Sequence, residues 1–147
     1  MVFKKTLSLF IAMLCLFSSF SIHSYADDLD IIEEDEIISE YTIGRNAISS
    51  LSISQGTATC TSRVEGFDCV QISVTQTLQK YSGWFWSWDD VAGACWSTTV
   101  NQNSVWLSNS KSGLSSGTYR LMSVFTLTNS NGQTETITIY SSEKTIS

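Results

Sequence analysis

Apolar and polar side chains alternate through residues 70–79, and this alternation restricts the fold more than any other feature. Val70, Ile72, Val74 and Leu78 share one face of an extended chain, interrupted by Gln76, while polar side chains occupy the other face. A period of two predicts a β-strand with one buried face and one wet face. After a turn at Ser82-Gly83 a tryptophan-rich run follows, which predicts a second strand over residues 83–90.

Similar short segments fill the rest of the chain up to its C-terminus. The predicted strands cover residues 47–53, 57–64, 69–81, 83–90, 94–100, 104–110, 118–128 and 134–141. Two partly apolar faces make 118–128 a central strand, and Asn131-Gly132 predicts the hairpin that follows it. Such a series predicts an all-β, two-sheet antiparallel sandwich, with a small barrel as the alternative.

Tyr119, which opens the penultimate predicted strand, favours the sandwich over the barrel. A tyrosine at this position can act as the tyrosine corner of immunoglobulin-like sandwiches, with its hydroxyl bonded to backbone upstream. The expected fold class is therefore an immunoglobulin-like β-sandwich over residues 47–147.

The N-terminal 26 residues have the pattern of a secretory signal peptide. Lys4 and Lys5 form a basic start, an apolar run follows, and Ser24-Tyr25-Ala26 presents small residues for cleavage before Asp27. The apolar run is shorter than the roughly 20 residues that span a bilayer, so no stable membrane anchor is expected after cleavage. The predicted localisation is secreted or cell-surface associated.

Residues 27–46 are predicted to form a poorly ordered acidic leader. Eight of the fourteen acidic residues lie within residues 27–40. The simplest interpretation is a solvated segment, and the alternative is a segment for calcium or a cationic partner. Cleavage changes the formal charge from −6 to −8, but residues 41–147 hold six acids and six bases. A neutral domain lacks the basic face that nucleic acid needs.

The mature chain offers little catalytic chemistry. The one histidine, His23, is removed with the signal peptide, which excludes Ser-His-Asp and Cys-His arrangements and histidine metal sites. Asp89 and Asp90 are adjacent and would face opposite sides of a strand, so they cannot flank one bond. A catalytic Ser–Lys dyad remains an alternative, but no sequence pattern singles out one serine for it. The sequence predicts a non-enzyme with no cofactor and no metal.

Three cysteines remain after cleavage, namely Cys60, Cys69 and Cys95. An exported protein with three cysteines can form one disulfide and keep one free thiol. Cys60 and Cys69 flank a short turn, which favours their pairing, with Cys95 as the alternative partner. A remaining free thiol would be buried or available for dimerisation.

The five tryptophans all lie within 23 positions, from Trp84 to Trp106. One interpretation is a binding platform of Trp84, Trp86 and Trp88, extended by Tyr81, on which a sugar ring or a partner's side chains stack. The other is that these tryptophans form the core side of their strand and pack on Leu78 and Leu121. The spacing of the tryptophans by two residues fits both interpretations, because it places them on one face of a strand without showing whether that face is exposed to solvent.

An ordered set of short segments resembles a family of small exported proteins from Gram-positive, clostridia-like bacteria, whose function is uncharacterised. The matching segments, within residues 47–142, are Gly56-Thr57-Ala58-Thr59-Cys60, Thr77-Leu78-Gln79-Lys80, residues 84–88, Trp96-Ser97-Thr98-Thr99, Ser116-Gly117-Thr118-Tyr119-Arg120 and the end near Tyr140-Ser141. The resemblance implies export and an all-β fold and carries no catalytic residues. Cys69 and Cys95 have no established counterpart in it.

The expected function is therefore a secreted, non-enzymatic binding or interaction module with an unknown glycan or protein ligand. One alternative is a carbohydrate-binding platform built on Trp84, Trp86 and Trp88. Another is a bacteriocin-like exported effector, although the acidic balance does not favour attraction to anionic lipid. A hydrolase has the least support, because no sequence pattern indicates a pocket lined by polar groups.

Overall fold

Eight strands, all paired antiparallel, form the part of the chain that the computed structural model describes, residues 41–147. The predicted signal peptide and most of the predicted acidic leader lie outside these residues. The strands are β1 (Gly44–Ser54), β2 (Thr57–Gly66), β3 (Cys69–Ser82), β4 (Ser87–Val100), β5 (Ser104–Lys111), β6 (Gly117–Asn129), β7 (Thr134–Tyr140) and β8 (Lys144–Ile146).

The strands form two sheets that pack face to face. One sheet has the order β1-β2-β5, and the other has the order β4-β3-β6-β7 with β8 paired to β6. The connections β2–β3, β4–β5 and β5–β6 each cross from one sheet to the other, as in immunoglobulin-type sandwiches. The predicted all-β, two-sheet antiparallel sandwich is confirmed.

The strand β6 follows the alternation that its sequence predicts. The inward positions Tyr119, Leu121, Ser123, Phe125 and Leu127 are buried, while the residues that alternate with them are only partly covered. β6 lies between β3 and β7, so the predicted central strand is confirmed. The predicted tyrosine corner is also present, because the Tyr119 hydroxyl donates a hydrogen bond to the Ser115 carbonyl oxygen at 2.7 Å.

Two departures from the predicted strands have a common cause in sheet irregularity. Val70 was expected to face the core, but a register shift between Cys69 and Gln71 against β6 leaves Val70 49% exposed and turns Cys69 inward. Residues 87–90 of the first predicted strand (83–90) and the whole of the second (94–100) belong to one strand, β4. Its register shifts between Asp90 and Cys95, near Gly93, whose φ is 66°.

The start of β1 is tied to β7 by a single carboxylate. Glu135 accepts backbone N–H groups from Thr42 at 2.9 Å, Ile43 at 3.0 Å and Gly44 at 2.7 Å. Burial acts to raise the pKa of Glu135, but these hydrogen bonds outweigh burial and hold the pKa below its ordinary value. This contact explains why β1 begins at Gly44, three residues before the predicted strand.

The predicted Cys60–Cys69 disulfide is not present in the structure. The three cysteines of residues 41–147 are free thiols, so the alternative pairing with Cys95 is not formed either. Cys60 and Cys69 lie in different sheets and in different apolar clusters of the core. Burial raises the pKa of Cys60 to about 11. The short turn does not bring the two cysteines together, because Gln76 rather than Cys69 lies across from Cys60 and donates to its carbonyl at 3.3 Å.

The core consists of two apolar clusters. The first contains Ile43, Val64, Cys69, Ile72, Val74, Val105, Phe125, Leu127 and Ile137. The second contains Leu51, Ala58, Cys60, Leu78, Ala94, Tyr119 and Leu121. In three strands the inward position between the two clusters is polar. These positions are Ser62 on β2, Gln76 on β3 and Ser123 on β6, and all three are fully buried.

Together with Ser49 and Asn109, these residues form a hydrogen-bonded set that we call the polar belt. Gln76 Nε2 donates to Ser62 Oγ at 2.8 Å and to the Leu107 carbonyl at 3.0 Å. Asn109 Nδ2 donates to Gln76 Oε1 at 2.8 Å. Ser123 Oγ lies 2.6 Å from Ser62 Oγ and 2.7 Å from Ser49 Oγ. The polar belt therefore joins the two sheets across the middle of the core.

Counting protons fixes the direction of these bonds, since each serine hydroxyl has one hydrogen to donate. Ser49 donates to the Leu121 carbonyl at 3.2 Å, so Ser123 must donate to Ser49. Ser62 must then donate to Ser123, and it accepts from Gln76. Among the described residues no buried side-chain nitrogen or oxygen lacks a partner, so the polar belt is fully satisfied.

We expect Gln76→Leu to lower the free energy of unfolding by about 2–4 kcal/mol, because it removes the acceptor of Asn109 Nδ2 and the donor to Ser62 Oγ and the Leu107 carbonyl. Urea unfolding measures the change. Thr138→Val, on the exposed face of β7, is the control and should change the free energy of unfolding by less than about 0.5 kcal/mol. A similarly small effect of Gln76→Leu would contradict a stabilising polar belt.

Candidate functional site

The aromatic run lies at the tip of the β3–β4 hairpin. Ser82 and Ser87 form the last paired positions, and residues 83–86 are the loop between them. The prediction of a strand through Trp84 and Trp86 is therefore wrong. Trp86 closes the loop in the left-handed region with φ 54°, a conformation that a β-strand does not contain. The sequence favours a strand here through aromatic propensity and the period-two spacing of the tryptophans, and neither signal shows where strand pairing stops.

The three aromatic side chains of this loop are exposed to solvent. The exposed fractions are 84% for Trp84, 76% for Phe85 and 85% for Trp86. The core interpretation is thus wrong for Trp84 and Trp86, whereas Trp88 is partly buried. The rings of Trp84 and Phe85 meet edge to face, with centroids 6.4 Å apart. We call residues 84–86 the aromatic tip.

Behind the aromatic tip, a row of side chains crosses the outer face of the larger sheet. Tyr81 and Trp88 are opposite each other on β3 and β4, with ring centroids 5.4 Å apart. The Arg120 guanidinium lies 4.2 Å from the centroid of Trp88 and 4.1 Å from that of Tyr140. We call Tyr81, Trp88, Arg120 and Tyr140 the aromatic–arginine stack.

Hydrogen bonds hold the guanidinium in place beneath this stack. Arg120 Nε donates to Gln79 Oε1 at 2.9 Å. Gln79 Nε2 in turn donates to Asp90 Oδ1 at 2.9 Å. The outer-face positions of β3, β4 and β6 thus form one connected set. The sequence singled out Tyr81 and Trp88 but missed Arg120 and Tyr140, because only the register of four strands brings them together.

The same sheet face continues away from the stack as a row of hydroxyl groups. Ser73 Oγ and Thr99 Oγ1 are 2.8 Å apart, and Thr75 Oγ1 and Ser97 Oγ are also 2.8 Å apart. These pairs are exposed and link β3 to the edge strand β4. Hydroxyl groups that both donate and accept suit a polar, uncharged part of a ligand.

An open groove of about 430 Å³ lies on the other side of the same hairpin. Lys80 Nζ donates to Ser115 Oγ at 2.8 Å there and lies 5.5 Å from the Tyr119 ring centroid. Asp89 lines the groove opposite Lys80 in the strand register. The Asp90 carboxylate instead binds Gln79 on the outer face, so these two acids are directed to opposite sides, as the sequence predicts.

Within residues 41–147, no group of three or more histidine, cysteine, aspartate or glutamate side chains is placed to hold a metal ion. The same residues contain no helix long and apolar enough to cross a membrane.

Comparison with known proteins gives a weak structural likeness. No protein-family model matches the chain, and no curated protein matches its sequence. The fold is similar to two crystal forms of wild-type OgpA from Akkermansia muciniphila, each with a TM-score of 0.39 and 12% identity. The aligned parts cover 71% and 73% of this chain, which spans about a third of the length of OgpA, 32% and 31%.

A third similar structure is catalytically inactive OgpA in complex with an O-glycopeptide substrate. Its TM-score is 0.36 at 11% identity, and the aligned part covers 72% of this chain and 32% of that one.

We expect Trp86→Gly to leave the free energy of unfolding unchanged or to raise it by up to about 1 kcal/mol, because glycine removes the strain of a positive φ. Thermal unfolding measures the change. Trp88→Ala is the contrasting variant and should be destabilising, since Trp88 contacts both Tyr81 and Arg120. A loss of more than about 1 kcal/mol in Trp86→Gly would mean that the ring supports the fold.

We expect a thiol reagent to label Cys95 in the native protein well before Cys60. Cys95 is exposed on the outer face of β4, whereas Cys60 is fully buried with a pKa raised to about 11. Mass spectrometry after a short iodoacetamide reaction at pH 8 identifies the labelled site. Under oxidising conditions a disulfide dimer should form and should disappear in Cys95→Ser. Labelling of Cys60 first would contradict this order.

Proposed function

We propose that this protein is a secreted, non-enzymatic binding module that binds carbohydrate through its aromatic tip and the adjoining rings of Tyr81 and Trp88. The observation that carries the proposal is the exposure of Trp84, Phe85 and Trp86, each more than three-quarters in contact with solvent. Exposed aromatic groups of this kind are typical of interaction sites.

The backbone at the aromatic tip supports the same interpretation. Trp86 occupies a left-handed conformation, which disfavours a residue with a bulky side chain by about 1–2 kcal/mol. Glycine or asparagine is the usual choice at such a position. A tryptophan there therefore does not serve the stability of the loop, and contact with a ligand accounts for it.

Carbohydrate is favoured over a protein or a lipid ligand by the polar groups of the sheet face behind the aromatic tip. Sugar rings offer an apolar face for stacking and hydroxyl groups at their edges. The outer face of the same sheet presents serine and threonine hydroxyls farther along β3 and β4, which can bond such edges in an extended glycan. The resemblance to exported proteins of Gram-positive bacteria and the predicted signal peptide support action outside the cell.

We expect Trp86→Ala and Trp84→Ala each to weaken binding to a recognised glycan by at least about tenfold, because an aromatic side chain at the centre of an interface contributes strongly to affinity. A panel of immobilised bacterial cell-wall glycans and host glycans identifies the glycan, and calorimetry measures the affinity. The matched control is Trp106→Ala, since Trp106 is 72% exposed but lies on β5 in the other sheet.

Two results would overturn the proposal. Equal loss of binding in Trp106→Ala would indicate nonspecific adsorption through exposed aromatic side chains rather than a binding site at the tip of the β3–β4 hairpin. Absence of glycan binding, together with growth inhibition by the purified protein or with Trp84-dependent partition into zwitterionic lipid vesicles, would favour a membrane-active effector.

A further inference from the structure

Arg120 has no acidic partner in the part of the chain that the structure describes. The one ion pair within residues 41–147 joins Arg63 and Glu65, elsewhere on the surface. Asp90, the acid nearest in the network, is bonded to Gln79 rather than to Arg120. A cation that lies between two aromatic rings without a counter-ion is available to an anion from outside the chain.

The free part of the Arg120 side chain is its pair of terminal amino groups. Gln79 Oε1 occupies Nε, and the two terminal nitrogens have no hydrogen-bond partner among the described residues. Because no buried side-chain nitrogen in these residues lacks a partner, both terminal nitrogens reach solvent. Trp88 and Tyr140 place their ring centroids 4.2 Å and 4.1 Å from the guanidinium, from strands on either side of β6, so the terminal nitrogens offer a ligand its open approach.

This geometry selects the chemistry of the ligand. An edge-on guanidinium presents two parallel N–H donors, which match the two oxygens of a carboxylate. The guanidinium is already oriented by two rings and by Gln79, so little rotamer freedom remains to be lost on binding. A phosphate group carries more charge and calls for further cations, but Lys80 is directed to the opposite side of the hairpin and binds Ser115.

We propose that the aromatic–arginine stack binds the carboxylate of an acidic sugar, with Arg120 as the anion-binding residue. This inference rests on the proposed carbohydrate binding and names the class of sugar. The carboxylate receives two hydrogen bonds from Arg120. The sugar ring lies along Trp88 and Tyr140, and the ligand continues toward the aromatic tip, which ends two residues before Trp88 in the chain.

The first test uses the unaltered protein and matched ligands, so it does not depend on a variant that folds. Calorimetry compares tetragalacturonate and sialyllactose with their methyl esters, in which the carboxylate charge is removed and the sugar is kept. We expect one of the two acids to bind at least about tenfold more tightly than its ester, and to weaken as salt rises. The two acids distinguish a uronic from a sialic source.

The second test changes the donor geometry but keeps the charge. Arg120→Lys should weaken binding of the preferred acid by about tenfold or more and should leave binding of its ester unchanged, because lysine lacks the planar fork. The control is Arg45→Lys, since Arg45 also lies over an aromatic ring, 4.8 Å from the centroid of Phe67, but on β1. Thermal unfolding of both variants separates binding from stability.

The possible failures are distinguishable. If acids and esters bind equally and Trp86→Ala still abolishes binding, the carbohydrate module stands and the carboxylate site is wrong. If no glycan binds in any form, both proposals are wrong. If a peptide with a free C-terminal carboxylate binds in an Arg120-dependent way and the acidic sugars do not, the site takes a carboxylate but the sugar class is wrong.

Discussion

The hydrogen-bond network around Gln76 determines how the two sheets fit together. Gln76 on β3 contacts β2 through Ser62 and β5 through Leu107 and Asn109, so one side chain joins two of the three strands of the opposite sheet. Slipping β3 by one residue would turn Gln76 to the outer face and bury Thr75 or Thr77 in its place. A buried polar group that is satisfied in one register only is a source of fold specificity.

The polar belt also divides the core so that one apolar cluster packs beneath the candidate site. It separates two apolar clusters, and the second cluster, with Leu78, Tyr119 and Leu121, lies at the end from which the hairpin projects. Consecutive residues on β3 and β6 therefore contribute in turn to the core and to the outer face. Leu78 and Tyr119 pack inward, while Gln79 and Arg120, the next residue in each case, build the outer network. Packing and site geometry are therefore coupled residue by residue.

The sequence predicts the strands well because alternate side chains of a strand face the core, so the period-two pattern of apolar residues directly reflects burial. It predicts Tyr119 and the hairpin at Asn131-Gly132 for an equally local reason. It does not predict where pairing stops, so it extends a strand through Trp84 and Trp86, which form a loop. It also misses the neighbourhood of Arg120, since Trp88 and Tyr140 lie far apart in the chain and meet only through the register of β4, β3, β6 and β7.

Charge adds a constraint on how such a site would choose its ligand. The acidic residues are concentrated before residue 41, and residues 41–147 are formally neutral. A neutral domain exerts little long-range attraction on an anion, because exposed charges are screened beyond about 8–10 Å at physiological salt. Recognition must then depend on short-range contacts, namely ring stacking and the two donors of Arg120. Selectivity for the ligand would accordingly appear in the rate of dissociation more than in the rate of association.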